Sequence, residues 1–380
     1  MWKKILAGIL SIVIVISGLY AVQKLVVPKY MDNVLEGAFT QEYYEETTKH
    51  DVIFVGDCEV YENFSPVELW NDYGITSYIR GNAQQLVWQS YYMLEDTLRY
   101  EKPKVVVYNV QSLTHNTPQK EEYNRMTIDG MQWSKSKIEN IKASMMSDEN
   151  ILDYVFPLLR YHSRITELTK SDFTYYNKKK KITHNGYYMR IDSLAYDEEN
   201  ALKEDKPNNM KFGANAMKYM DMIRDLCREN NIKLVLVKAP SLSPKWFDEY
   251  EQQVQEYAEE NKLDYINYLK LADIVGMDYS TDTYDGGLHM NLSGAKKLSK
   301  HIGKYFQEKC NIEDHRNEKE YAKVWKGKVD YYNDMIEAQE KELEKYGYLK
   351  SFGGEASRAD QKSNGNNKDE LETDMFGGFD

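Results

Sequence analysis

Two short stretches carry the residue types that acyl-transfer chemistry uses. In "VIFVGDCEVYENFSP" the apolar run Val52–Val55 ends at Cys58, with Asp57 and Glu59 on either side. A strand end of this kind is where α/β proteins keep reactive groups. In "TDTYDGGLHMNLSGA" a Gly-rich loop carries Asp282, Asp285 and His289 just before a helix that Asn291 or Ser293 is suited to cap. A thiol can attack a carbonyl, an imidazole can take its proton, and an acid four residues earlier can hold the imidazole in the right tautomer. A helix start and a nearby imidazole would ease ionisation of the thiol, whereas Asp57 and Glu59 would oppose it unless they point away. Three uses of Cys58 stay open: nucleophile, remnant of one in a site that only binds, or packing.

Other residues belong to the same question. Lys238 ends the run "LVLVKAP" and would sit at the same edge, holding an acid or phosphate or pairing with Asp285 or Glu59. His162 and Arg164, beside Arg160, could bind an anionic or sugar group, or make ion pairs along a helix face. Trp88, Trp133 and Trp246 could stack on sugar rings or fill a core. Cys227 and Cys310 read as ordinary buried or half-buried residues. Three cysteines make no disulfide framework, no Cys/His grouping has zinc spacing, and neither metal nor cofactor is expected.

The elements that must position these residues are legible as a rhythm. Strand-like runs cover Val52–Val55, Ile75–Ile79, Lys104–Val110, Ile232–Val237 and Tyr265–Ile266. Helical patterns cover Pro66–Tyr73, Gln84–Tyr100, Ala214–Glu229, Trp246–Asn261 and Ser293–Gln307. Strands apolar on both faces, alternating with helices, imply a mainly parallel sheet of about five strands in a three-layer α/β domain over residues 51–310. Residues 113–211 are too many for one crossover, so they read as a mostly helical insertion that should cap the site.

Flanking segments set the context. Lys3 and Lys4 precede the uncharged run Ile5–Val22, long enough with its flanks to cross a bilayer of ~30 Å. Residues 1–28 are therefore expected to be a single-pass membrane anchor, with a secretory signal as the rival reading. Residues 29–50 read as a stalk, 311–350 as a charged helical segment, and 351–380 as a disordered acidic tail. With 49 Lys+Arg against 61 Asp+Glu, the chain is a poor partner for nucleic acid. The run Lys178–Lys181 reads as a solvated loop.

Four blocks in order resemble the SGNH/GDSL hydrolases. "FVGDCEVY" is similar to the Gly-Asp-Ser block with Cys58 at the serine position, and "IRGNAQ" to the second block, with Gly81 supplying a backbone N–H. "VVVYNVQS" resembles the third, with Asn109 as the oxyanion-hole asparagine, and "DGGLHMN" the last, with His289 as the catalytic histidine. The resemblance covers roughly residues 51–306 without the insertion, and it implies a flavodoxin-like SGNH fold. It implies Cys58, His289 and Asp285 as the catalytic set, with Asp282 as the alternative acid and Cys58, Gly81 and Asn109 around the oxyanion. The usual acid position, three before the histidine, is Gly286 here, so Asp285 stands one residue further away. The C-terminal block is similar to that of membrane-anchored proteins that transfer acyl groups to cell-surface polysaccharide and teichoic acid. That implies an extracytoplasmic esterase or acyltransferase whose partners are the membrane, an envelope glycan or acyl donor, and a membrane acyl-transfer protein. Two alternatives from other classes remain. One is a degenerate member of the fold that binds glycan or assists polymer assembly; the other is a stalked interaction protein working through its C-terminal helices.

Overall fold

Five runs rich in Val, Ile and Tyr set the frame. In the computed structural model they form β1 (Val52–Gly56), β2 (Ser77–Gly81), β3 (Val105–Asn109), β4 (Lys233–Lys238) and β5 (Asp264–Asn267). Every neighbouring pair is parallel, in the order β2-β1-β3-β4-β5. The structure describes residues 2–27, 39–170, 172–173, 181, 183–198 and 206–352. The remainder of the expected stalk, Lys178–Lys180 and nearly all of the expected acidic tail lie outside the described residues.

Fourteen α-helices are found among the described residues. The first five are α1 (Trp2–Val26), α2 (Phe39–Glu42), α3 (Cys58–Tyr61), α4 (Pro66–Tyr73) and α5 (Val87–Thr97). The insertion supplies α6 (Glu121–Ile128), α7 (Lys135–Ser144), α8 (Ile151–Val155) and α9 (Leu158–Tyr161). Then come α10 (Ala214–Glu229), α11 (Asp248–Asn261), α12 (Ala272–Val275), α13 (Leu292–Cys310) and α14 (Lys319–Tyr346).

Alternation along the strands splits the core in two. Val52, Phe54, Val107 and Val235 face Leu69 of α4 and Leu298, Ile302 and Phe306 of α13. Ile53, Val55, Val106 and Leu236 face Trp88 of α5, Met220 and Ile223 of α10, and Val254 of α11. Both faces of a sheet of this kind must be covered, and they are. The three-layer α/β fold and the strand number match the sequence reading.

The ends differ where polar residues are buried. β2 lies two residues later than its apolar pattern suggests, because Arg80 is sequestered. Its guanidinium sits 4.0 Å from the Tyr43 ring and donates to Thr97 at 3.0 Å. That contact also shortens the stalk. Residues 39–50 pack on the domain, with Phe39 edge-on to Tyr61 at 5.2 Å and the Tyr43 hydroxyl donating to Glu101 at 2.7 Å.

Among the described residues, the insertion's helices of known extent lie between Glu121 and Tyr161. Helix α7 lies along α5, while α9 and the turn after it lie against α1. The part that reaches the sheet edge is an irregular strap, residues 187–196. Tyr188 N–H donates to Tyr61 O at 2.8 Å and Leu194 N–H to Thr283 O at 2.9 Å, so the strap ties the segment after Cys58 to the loop before His289. Helix α1 is long and apolar enough to cross a membrane, and Trp2–Tyr20 touch little of the rest of the protein.

Candidate active site

The strand order creates the site. From β1 the chain moves to β2 on one side, and β3 lies on the other, so a crevice opens beyond the carboxyl ends of β1 and β3. Cys58 follows β1 and Asn109 ends β3. Gly56 and Gly81 stand side by side in register at the ends of β1 and β2. Gly56 takes a φ of 152°, and an added Cβ there would meet Asn109 Cβ at 3.1 Å, so both backbone and space favour glycine.

The Gly-rich loop delivers the imidazole. Gly286 and Gly287 take positive φ of 79° and 101°, which folds Asp285 back over the residue four positions on. One carboxylate then makes two bonds: His289 N–H donates to Asp285 Oδ1 at 2.8 Å and His289 Nδ1–H to Oδ2 at 2.6 Å. The extra residue relative to the usual spacing is absorbed in this turn. Asn291 caps α13, as its sequence position suggested, with Oδ1 accepting from Gly294 N–H at 3.2 Å.

Nδ1 being committed to Asp285, Nε2 is the nitrogen left for a substrate or a thiol, and it has no hydrogen-bond partner among the described residues. The Cys58 thiol and this imidazole are neighbours, each acting on the other's ionisation. Burial pushes the thiol up to about 12, and Asp57 and Glu62 add to that, while His289 pulls it down. The expected relief from a helix start is absent, since α3 is a single turn. Burial alone would depress His289, but Glu62, Cys58 and Asp285 together raise it well above its ordinary value. The surrounding carboxylates thus favour the protonated imidazole, and burial favours the un-ionised thiol.

Beneath Cys58 lies a closed polar network. Lys238 Nζ donates to both oxygens of Glu59, at 2.8 and 2.9 Å, and to Ala239 O at 3.1 Å. Asn109 Nδ2 donates to Asp57 Oδ1 at 3.1 Å and to Glu59 Oε2 at 3.0 Å, and its Oδ1 accepts from Ala239 N–H at 3.2 Å. Lys238, Glu59 and Asn109 are all buried. Of the roles open to Lys238 in the sequence, pairing with Glu59 is the one realised; its three protons leave none for a substrate. Asn109 stands at the expected edge, but both of its amide hydrogens are occupied by carboxylates.

Five further residues sit elsewhere. Asp282 is bound to Asp278 N–H at 2.7 Å and Lys297 Nζ at 2.6 Å, organising the loop instead of the imidazole. His162 is exposed with Nδ1 on Leu159 O, and Arg164 donates to Val26 O at 2.7 Å, so both lie at the end of α1 and not at the sheet edge. Arg160 pairs with Glu121 and Asp148. The insertion was expected to place these side chains over the site; its helices instead follow α5 and α1. Trp88 is a core residue donating to Ser144.

Sequence reasoning missed Glu62, Asn63, Tyr284 and Arg190. Glu62 Oε2 lies 3.5 Å from His289 Nδ1, and burial raises its carboxyl to about 7. Its spacing of four from Cys58 was a usable signal, because i and i+4 share a helix face. Asn63 Oδ1 accepts from Met290 N–H at 2.9 Å, locking the histidine loop to the end of α3. The Tyr284 ring stacks on His289 at 5.9 Å, and Arg190 covers that ring at 4.3 Å.

No family model matches the sequence, and no curated protein does. Among solved structures, a proposed acylhydrolase from Bacteroides fragilis aligns with 71% of this chain and 95% of its own, at 14% identity and a TM-score of 0.36. A GDSL-like lipase from Bacteroides thetaiotaomicron aligns with 72% of this chain and 98% of its own, at 12% identity and a TM-score of 0.35. The fold assignment rests on the strand order itself.

Proposed function

We propose that this chain is an SGNH-like esterase or O-acyltransferase, anchored in a membrane by α1 and facing outward, that acts on acyl groups of cell-envelope glycans. The observation that carries the reading is the Asp285–His289 pair at 2.6 Å beside the Cys58 thiol, at the crevice where the strand order reverses. Cys58 Sγ attacks an acyl carbonyl as His289 Nε2 takes its proton, and Asp285 keeps the proton on Nδ1. The carbonyl π bond opens to an oxyanion, then re-forms as the leaving oxygen departs with the proton from His289. A sugar hydroxyl or water, deprotonated by the same imidazole, attacks the thioester and the thiol leaves reprotonated. Backbone N–H groups of Cys58 and Gly81 are the oxyanion donors in this reading, each worth ~3 kcal/mol. Asn109 joins them only by releasing Asp57 or Glu59. The acyl donor is an envelope component or a membrane acyl-transfer protein.

A second reading, a site that binds glycan without turnover, is favoured by the thiol held up at about 12 and by the occupied Asn109 amide. Labelling with a thioester-forming acyl probe separates the two. Catalysis expects signal that is lost in Cys58→Ala and kept in Cys58→Ser. Absence of signal in every version, with the protein folded, leaves the binding reading.

A further inference from the structure

We infer that the segment Leu152–Ile165 of the insertion is a lipid-facing surface that dips into the outer face of the bilayer beside α1. The inference rests on α1 as a membrane span and not on the chemistry of Cys58.

Three observations carry it. Within Leu152–Ile165 the side chains of Leu152, Val155, Phe156, Leu159 and Ile165 are exposed, Phe156 by 54% and Ile165 by 57%. Soluble surfaces scatter such residues singly, so a run of them marks an interaction face. The inward side of the same segment already packs on the protein: Tyr154 is buried, with the Arg125 guanidinium 4.0 Å from its ring. Finally, the segment is tied to the exit of α1, where α9 and the turn after it pack on the helix and Arg164 donates to Val26 O at 2.7 Å.

Depth follows from the helix rise. Trp2–Tyr20, exposed throughout, spans about 28 Å, close to the ~30 Å of a hydrocarbon core. The turns that follow, where the insertion packs, then lie at the headgroup level, which is where an amphipathic surface inserts. Bilayer lipid, not a second protein, is the occupant favoured, because the apolar side chains belong to the segment that packs against α1 where that helix would leave the bilayer.

The test uses the full chain in nanodiscs containing a phosphatidylcholine with a diazirine in its acyl chain, with adducts mapped by mass spectrometry. Adducts on α1 and on Leu152–Ile165 are expected, and the triple variant Phe156→Ser, Leu159→Ser, Ile165→Ser should lose the second group while keeping the first. Adducts confined to α1, or unchanged in the triple variant, overturn the proposal. So does a native-membrane crosslink from this segment to a protein in place of lipid. Absence of adducts on α1 overturns the spanning helix itself.

Discussion

Glu62 is the sharpest test of how the site is poised. Its Oε2 lies 3.5 Å from His289 Nδ1, the nitrogen that Asp285 also holds, at 2.6 Å. Unit charges at that distance in an effective dielectric of 20 attract by about 5 kcal/mol. The net effect is smaller, since burial keeps Glu62 near about 7 and Asp285 already compensates the imidazolium. A neighbouring acid typically moves a titration by about one to three pH units. In the proposed mechanism neutral imidazole is the base, so wild-type reactivity should rise with pH through a midpoint well above 6.5. Glu62→Gln removes a charge that raises both His289 and Cys58, so both titrations move down together. The assay is the rate of acyl-probe attachment to Cys58 between about pH 5 and pH 10, read peptide by peptide so that Cys227 and Cys310 do not interfere. The midpoint should fall by about one to three pH units in Glu62→Gln. An unchanged midpoint, with the fold intact, refutes the claim that Glu62 sets the charge of this imidazole.

Two further outcomes follow from the contacts. Lys238→Met leaves the Glu59 carboxylate buried without its cation and should cost about 3–5 kcal/mol in denaturant unfolding, most of it recovered in the double variant with Glu59→Gln; a cost below about 1 kcal/mol would show that water takes over the pairing. Asp285→Asn should slow probe attachment at least tenfold with modest loss of stability, whereas Asp282→Asn should lower the melting temperature and leave attachment within about twofold; the reverse pattern would reassign the orienting acid.

The fold was legible because it is written in local apolar rhythm: Val105–Val107 and Leu234–Val237 are short, mostly β-branched runs of the kind that form strands buried on both sides. β2 was read two residues early because Arg80 is polar in sequence and buried in fact, paired with Tyr43 and Thr97 from elsewhere in the chain. Cys58, Asp285 and His289 were legible from type and position at element ends. What no single sequence could reveal is which donors are already taken. Asn109 and Lys238 look available as residue types, but their protons belong to Asp57 and Glu59, a fact created by three strands meeting. The same holds for Arg164 and His162, whose surroundings depend on the path of the insertion.

The far end of the chain reaches the imidazole through touching parts. Helix α14 stacks Trp325 on Trp70 at 4.9 Å, and its Gln339 accepts from Ile191 N–H at 3.0 Å and donates to Met189 O at 2.9 Å. Between those two peptides lies Arg190, which rests on Tyr284, which rests on His289. The helix is thus a splint whose loosening, by truncation or by a fusion tag that pulls it away, should be felt at His289 without any change near the crevice. Trimming this protein for crystallography back to its sheet domain would remove the brace along with the appendage.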